Sequence, residues 1–586
     1  MIKLFKNLTK KDLLIIFIVI LLVIFSVFLD LKMPEYMSEI TRLVQTEDST
    51  MKSIINAGTH MLICAIGSLL CTISVGFCTS LLSARFSKSI RRKIFSKVEN
   101  FGIAEIKKFS TPSLITRTTN DVTQIEMLLS MGLQLLIKAP IMSIWALLKI
   151  IGKSGELSLV TGAGVIIIVL TNIFIIKTVS PRFAIIQKLT DKINGVTREN
   201  ITGIRVVHAF NAEKFEQNRF NTINDELTGV HLKITKTFAL MDPTMNFVMH
   251  FQHLGIYFVG AYLIIRSGMM EKINTFSNMV VFSSYGMQVI ISFLMLTMIF
   301  MILPRAQVSA KRINEVLESE ILIKNGTFKG ETKETGTIEF KDVSFKYPDA
   351  DEYILKNISF KVNKGETIAF IGSTGSGKST LINLVPRLYD ATDGEVLVDG
   401  INVKEYDTKT LNNKIGYIPQ TAVMFTGSVK YNVSYGDNGK KKPSIEKIKE
   451  AIEIAQGKEF VEKMDKQYDS NISRGGTNVS GGQKQRLSIA RAIARDPEIY
   501  IFDDSFSALD YQTDAKLRKE LKKYTKNATS MIVAQRIGTI MNADKIVVLD
   551  KGKCVGIGTH KELLKKCAVY KEIALSQLSE EELENA

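Results

Sequence analysis

The stretch Thr367–Thr380, TIAFIGSTGSGKST, decides how the second half of the chain folds. Its opening residues are apolar and rich in β-branched and aromatic types, and they read as a strand. Gly372, Ser373, Thr374, Gly375, Ser376, Gly377, Lys378 and Ser379 then fit the spacing G-x-x-x-x-G-K-[ST], and a helical pattern takes over at Thr380. The glycines let successive backbone N–H groups close around phosphate oxygens, Lys378 neutralises the β and γ oxygens, and the Ser379 hydroxyl can ligand magnesium. A strand, a glycine-rich loop and a helix in that order predict an α/β P-loop domain that holds a nucleotide with Mg2+.

A second apolar run, IYIFDDSFSALD from Ile499 to Asp510, ends abruptly on two aspartates. An α/β sheet puts its ligand outside the carboxyl ends of its strands. Asp503 is therefore expected across from Ser379, holding magnesium through water, which leaves Asp504 for the attacking water. The alternating stretch TIEFKDVSFKYP sets the start of this domain near Gly336. Upstream, polar KNGTFKGETKETGT reads as a linker, preceded by a helix, RAQVSAKRINEVLE. The expected organisation is an all-α transmembrane domain over 1–320, a linker over 321–335 and a nucleotide-binding domain over 336–586.

The membrane assignment rests on uneven hydropathy in a chain of 586 residues, too long for one ordinary domain. Leu13–Leu29 carries no charge and would span roughly 26 Å as a helix, enough for a hydrocarbon core of about 30 Å with snorkelling ends. No small-residue cleavage site follows it, so it reads as a retained helix with a cytoplasmic amino end. Five more spans are expected at about 53–84, 128–151, 157–176, 238–265 and 276–303. The net charge of +16 is spread in blocks between apolar runs, a positive-inside pattern rather than a nucleic-acid-binding face. The Asp30–Lys52 loop has five acids against three bases, whereas Arg85–Glu126 has nine bases against four acids. The two long cytoplasmic segments contain few helix breakers and are expected to continue the membrane helices.

Within the spans, Lys138 has two readings: snorkelling or an ion pair, or the lining of a cavity. Met245, Met249, Met279, Met287, Met295 and Met298 are ordinary packing residues or an adaptable surface for varied apolar molecules. Cys64, Cys71 and Cys78 recur every seven residues and read as small residues on a packing face, with a metal or redox role as the alternative. His60 and His250 show no ligand spacing.

These residues resemble those of an ATP-binding cassette (ABC) exporter over nearly the whole chain. In NVSGGQKQRLSIARA, Ser480, Gly481, Gly482 and Gln483 match the family's signature motif. Gln420 in IGYIPQ matches the Q-loop and its magnesium contact, Tyr347 the aromatic residue that stacks on adenine, and Ser507–Asp510 the D-loop. Six helices ahead of one nucleotide-binding domain resemble a half-transporter. The resemblance implies two nucleotide domains that sandwich two ATP molecules, each held by the phosphate loop of one chain and the signature of the other. SLITRTTNDV and ENITGIRVVHAFNAE resemble the coupling segments, the second docking on the partner's nucleotide domain.

Two residues depart from that pattern. Asp504 stands where the family usually has a glutamate base, and Gln535 in VAQRIGT replaces the switch histidine. Aspartate is one methylene shorter, and glutamine neither ionises nor takes a proton as histidine does. The expected protein is the degenerate-site subunit of a heterodimeric bacterial multidrug exporter, in the cell membrane, weakly active or inactive alone. Its partner would be a homologous half-transporter with the glutamate and histidine, and its cargo an amphipathic molecule. The alternatives are export of lipid, peptide or siderophore, and an ATP-gated regulatory or channel-like membrane protein. The short amino end is expected to leave no room for a leader-cleaving domain.

Overall fold

The computed structural model describes residues 1–46, 49–151, 153–266 and 268–579. They form two units, Met1–Glu99 with Thr111–Ser319, and Asn100–Ser110 with the residues from Glu320 onward.

The first unit is all-α. Six helical stretches are long and apolar enough to cross a membrane: Lys10–Gln45, Met51–Glu99, Thr111–Ile150, Gly155–Thr202, Glu213–Arg266 and Glu271–Glu318. Only 22% of the most apolar window of Met51–Glu99 is buried, so Leu69, Leu70, Ile73 and Phe77 face outward, as they can in lipid but not in water. The opposite face makes the core. Val19, Val23, Val27 and Leu31 recur at intervals of four and close on Val75, Ala146, Phe282 and Tyr285. Cys64 and Cys71 are buried free thiols and Cys78 is half-buried, consistent with small residues on a packing face.

Each helix outruns its apolar run, as the scarcity of breakers predicts. Met51–Glu99 is unbroken, roughly 73 Å long at 1.5 Å per residue. One expectation is corrected: Asp30 to Gln45 is not a loop but the second half of the Lys10–Gln45 helix. Its charges are tolerated because they are paired. Lys138 Nζ lies 3.1 Å from Asp30 Oδ2, and both Lys149 and Lys32 lie 2.7 Å from Glu35. Of the two readings of Lys138, the ion pair is realised. Pro34 has no N–H to donate to the Asp30 carbonyl one turn back, and Gln288 Nε2 fills that place at 3.2 Å. Beside it the Tyr285 hydroxyl donates to Leu31 O at 2.9 Å.

The second unit is α/β. Its main sheet runs Lys553–Gly558, Lys545–Asp550, Thr367–Gly372, Thr529–Val533, Ile499–Asp503, Ile415–Ile418, parallel throughout except for the antiparallel first strand. Ile368, Phe370, Ile499, Ile501, Met531, Val533 and Val547 are buried, the near-continuous apolar reading of strands covered on both faces. An antiparallel sheet of Leu355–Val362, Ile338–Phe345, Asp393–Val398 and Ile401–Asn402 packs into the same core. The polar stretch ahead of it is tied down: the Phe328 N–H donates to Glu405 O at 2.9 Å, and the Phe328 ring meets Tyr406 edge-on.

Candidate functional site

Parallel pairing brings the carboxyl ends of Thr367–Gly372, Ile499–Asp503 and Ile415–Ile418 to one edge of the sheet. The glycine loop leaves the first of these in mid-sheet. At Gly372 the backbone has φ 154°, and a Cβ there would run into the Leu549 carbonyl. At Gly377, φ 97°, a Cβ would stand 2.7 Å from Leu355, so only glycine follows this path. Lys378 Nζ donates to the Gly372 and Ser373 carbonyls, each at 2.8 Å. Burial lowers the Lys378 pKa, and the nearby carboxylates Asp504 and Asp503 oppose that shift.

Ser379 Oγ donates to Asp503 Oδ1 at 2.6 Å, the pairing expected across the loop. Burial pushes the Asp503 pKa up, while the Ser379 hydrogen bond works the other way. A hydroxyl and a buried carboxylate form an all-oxygen donor set, which suits a hard cation such as Mg2+ and not a thiolate-seeking metal. A cation there would also relieve the burial of the charge. Tyr347 reaches the same loop from the antiparallel sheet, its hydroxyl 2.9 Å from Thr380 Oγ1.

Asp504 has φ 46°, in the left-handed region that aspartate tolerates better than most residues. Its Oδ2 accepts from Gln535 Nε2 at 2.8 Å and from Gln420 Nε2 at 3.3 Å. Gln420 is thus turned toward Asp504, and its hydrogen bond does not go to Asp503. Burial raises the Asp504 pKa against the hydrogen bonds from Gln535, Gln420 and Ser507.

The signature residues stand apart from this cluster. Ser480 caps the helix Gly481–Arg495: its Oγ accepts from the Gln483 N–H, and Gln483 Oε1 accepts from the Ser480 N–H at 2.9 Å. Ser480 and Gly481 are exposed, and among the described residues no hydrogen bond joins Ser480, Gly481, Gly482 or Gln483 to the phosphate loop. In this chain the signature residues and the phosphate-loop cluster are therefore two separate groups.

Two residues escaped the sequence reading. Tyr417 donates to Asn383 Oδ1 at 3.0 Å and to Asp503 Oδ2 at 3.4 Å, and burial raises its pKa. It lies in the IGYIPQ stretch three residues before Gln420, and the pairing of Tyr417 with Ile501 in the sheet shows what it faces. Lys107 lies with its ammonium 5.1 Å from the centroid of the Tyr347 ring. It comes from Asn100–Ser110, immediately before the segment read as a coupling motif.

Comparison with known proteins agrees with this geometry. Residues 16–302 match the family described as ABC transporter transmembrane region, and residues 355–507 the family described as ABC transporter. An uncharacterised ABC transporter ATP-binding protein of Mycobacterium tuberculosis is 38% identical over 90% of this chain and 89% of its own length. An ATP-dependent lipid A-core flippase of Haemophilus influenzae is 31% identical over 86% and 84%. A solved bacterial Atm1-family ABC exporter with ATP bound is 20% identical and superposes with a TM-score of 0.79, covering 95% of this chain and 98% of that one, a likeness of fold.

Proposed function

The chain belongs to the ABC transporter family, as an exporter with a multi-pass transmembrane region fused to a cytoplasmic ATPase domain, and from that premise we propose that it is the degenerate-site half of a heterodimer that expels amphipathic, drug-like molecules. The observation that carries this reading is the 2.8 Å hydrogen bond between Gln535 and Asp504, the two positions that depart from the family. A carboxylate one methylene short sits roughly 1 Å or more from where a base should meet water, an error that can slow turnover about 100-fold. Gln535 supplies an amide donor but no charge.

In this reading the chain's own loop holds ATP without turning it over quickly. Backbone N–H groups of Gly375 to Ser379 and the Lys378 ammonium cradle the phosphates, Tyr347 stacks on the base, and Ser379, Asp503 and Gln420 hold Mg2+, which when bound neutralises phosphate charge. Ser480, Gly481 and Gly482 serve the other site, facing the γ-phosphate held by a partner that carries the glutamate and histidine. Steady-state phosphate release tests this: the reading requires slow release by the chain alone and substrate-stimulated release once such a partner is co-purified. Turnover of the pair that responds to no ligand would favour an ATP-gated regulatory protein instead.

Lipid is the second cargo reading, and the similarity to a lipid A-core flippase supports it. Movement of a labelled lipid by the reconstituted pair, with no stimulation by amphipathic drugs, would favour lipid.

A further inference from the structure

The second unit contains a cavity of about 260 Å³ whose lining includes Gly102, Glu105, Ile323, Tyr347, Leu388 and Tyr389. It belongs to none of the phosphate contacts described above. Glu105 is 3% exposed. Its Oε1 accepts from the Leu322 N–H at 2.8 Å, but its Oε2 has no partner. A carboxylate oxygen shut away from water without a donor is costly, and buried polar groups in folded proteins are nearly always paired. The Tyr389 hydroxyl, 6% exposed, has the Lys107 ammonium as its polar neighbour. A wall with a spare acceptor awaits a ligand with a donor.

Tyr347 connects this wall to the phosphate loop. Its hydroxyl meets Thr380 at 2.9 Å, and its ring lies edge-on to Tyr389 with centroids 5.3 Å apart. We propose that the cavity receives the purine of the bound nucleotide and that Glu105 Oε2 accepts a hydrogen bond from the exocyclic amino group of adenine, which makes Glu105 a specificity-determining residue. The inference rests on the reading of Gly372–Thr380 as the ATP site. Apolar walls of Ile323, Leu388 and Tyr347 suit a flat bicyclic base. A purine with a carbonyl at that carbon would set two acceptors against each other with no proton between them, an arrangement that rejects it.

The test is equilibrium binding of ATP and ITP, which carries a carbonyl in place of the adenine amino group, to the full-length chain with Mg2+, by competition against a fluorescent nucleotide. Wild type should prefer ATP by roughly 10- to 100-fold, the range for one hydrogen bond to a charged group. Glu105→Gln keeps an oxygen for Leu322 and turns an amide N–H toward the base, so it should erase or invert that preference. Lys378→Ala should weaken both nucleotides alike. Equal affinity of wild type for ATP and ITP, which needs no variant to fold, overturns the proposal. So does a Glu105→Gln protein that loses both nucleotides equally. Undiminished binding of both by Lys378→Ala overturns the ATP-site reading itself, an outcome distinct from a base-indifferent site.

Discussion

Gln535 Nε2 lies 2.8 Å from Asp504 Oδ2, so the two residues on which the proposed degenerate site rests are hydrogen-bonded to each other. The same oxygen also accepts from Gln420, and Asp504 is buried. The pair acts as a unit, and reverting one member alone leaves the other mismatched.

Purified alone, the chain should therefore release phosphate slowly, and Asp504→Glu combined with Gln535→His should raise the rate by up to about 100-fold, the size of a 1 Å misplacement. Each single reversion should recover much less. Brisk release by the wild-type homodimer would remove the basis for a degenerate site.

In the proposed heterodimer the dependence should invert. Gly481 is exposed and nothing lies within 4 Å of a Cβ built on it, so Gly481→Asp fits the fold while setting an anion against the partner's phosphate. Loss of such stabilisation typically slows turnover about 100- to 1000-fold. Asp504→Asn should leave most of the activity. If the two variants of the co-purified pair are equally slow, the division into a holding site and a working site is wrong.

Stability should carry a signature of the same carboxylate. Burial raises the Asp504 pKa, so folding favours its protonated form. That contribution is complete below the ordinary aspartate value of about 4 and is lost as pH rises through the raised folded value. Without nucleotide or divalent cation, Asp504→Asn should match wild type below about pH 4 and unfold at a higher temperature than wild type at pH 7. Thermal unfolding in chelator at the two pH values decides it; an unchanged gap would contradict the sign.

Inside the membrane unit, Lys138→Met should leave the half-buried Asp30 without its counter-charge, a loss below the roughly 3 to 5 kcal/mol typical of fully buried pairs. Adding Asp30→Asn should return most of the loss, because the uncompensated charge is gone. Thermal unfolding of the purified chain in detergent measures both, and additive losses would mean that the two residues are not coupled.

How much of this was legible in the sequence depends on how local the signal is. Gly372, Gly377, Lys378 and Ser379 belong to one short turn, so their spacing identifies them, whereas Ser480 and Gln483 were legible through the resemblance to a family signature. Asp503 follows from the end of an apolar strand. Tyr417 and Glu105 do not, because each meets its neighbours only through pairing across distant segments. Asp30 was misread for a related reason. A charge cluster after an apolar run looks like a loop, and only Lys138, Lys149 and Gln288, more than 100 residues away, show why the helix can continue through it.

The strand order has a consequence for the chain's own synthesis. Thr367–Gly372 is flanked by Thr529–Val533 and Lys545–Asp550, so the strand that carries the loop lacks both neighbours until those later segments are translated. At about 5 to 20 residues per second, the nascent protein carries an unfinished phosphate loop for on the order of 10 to 40 s. The membrane helices are made well before that interval begins. The chain thus enters the bilayer without a formed ATP site, and a message truncated before Lys545 would yield an inserted protein that cannot engage nucleotide.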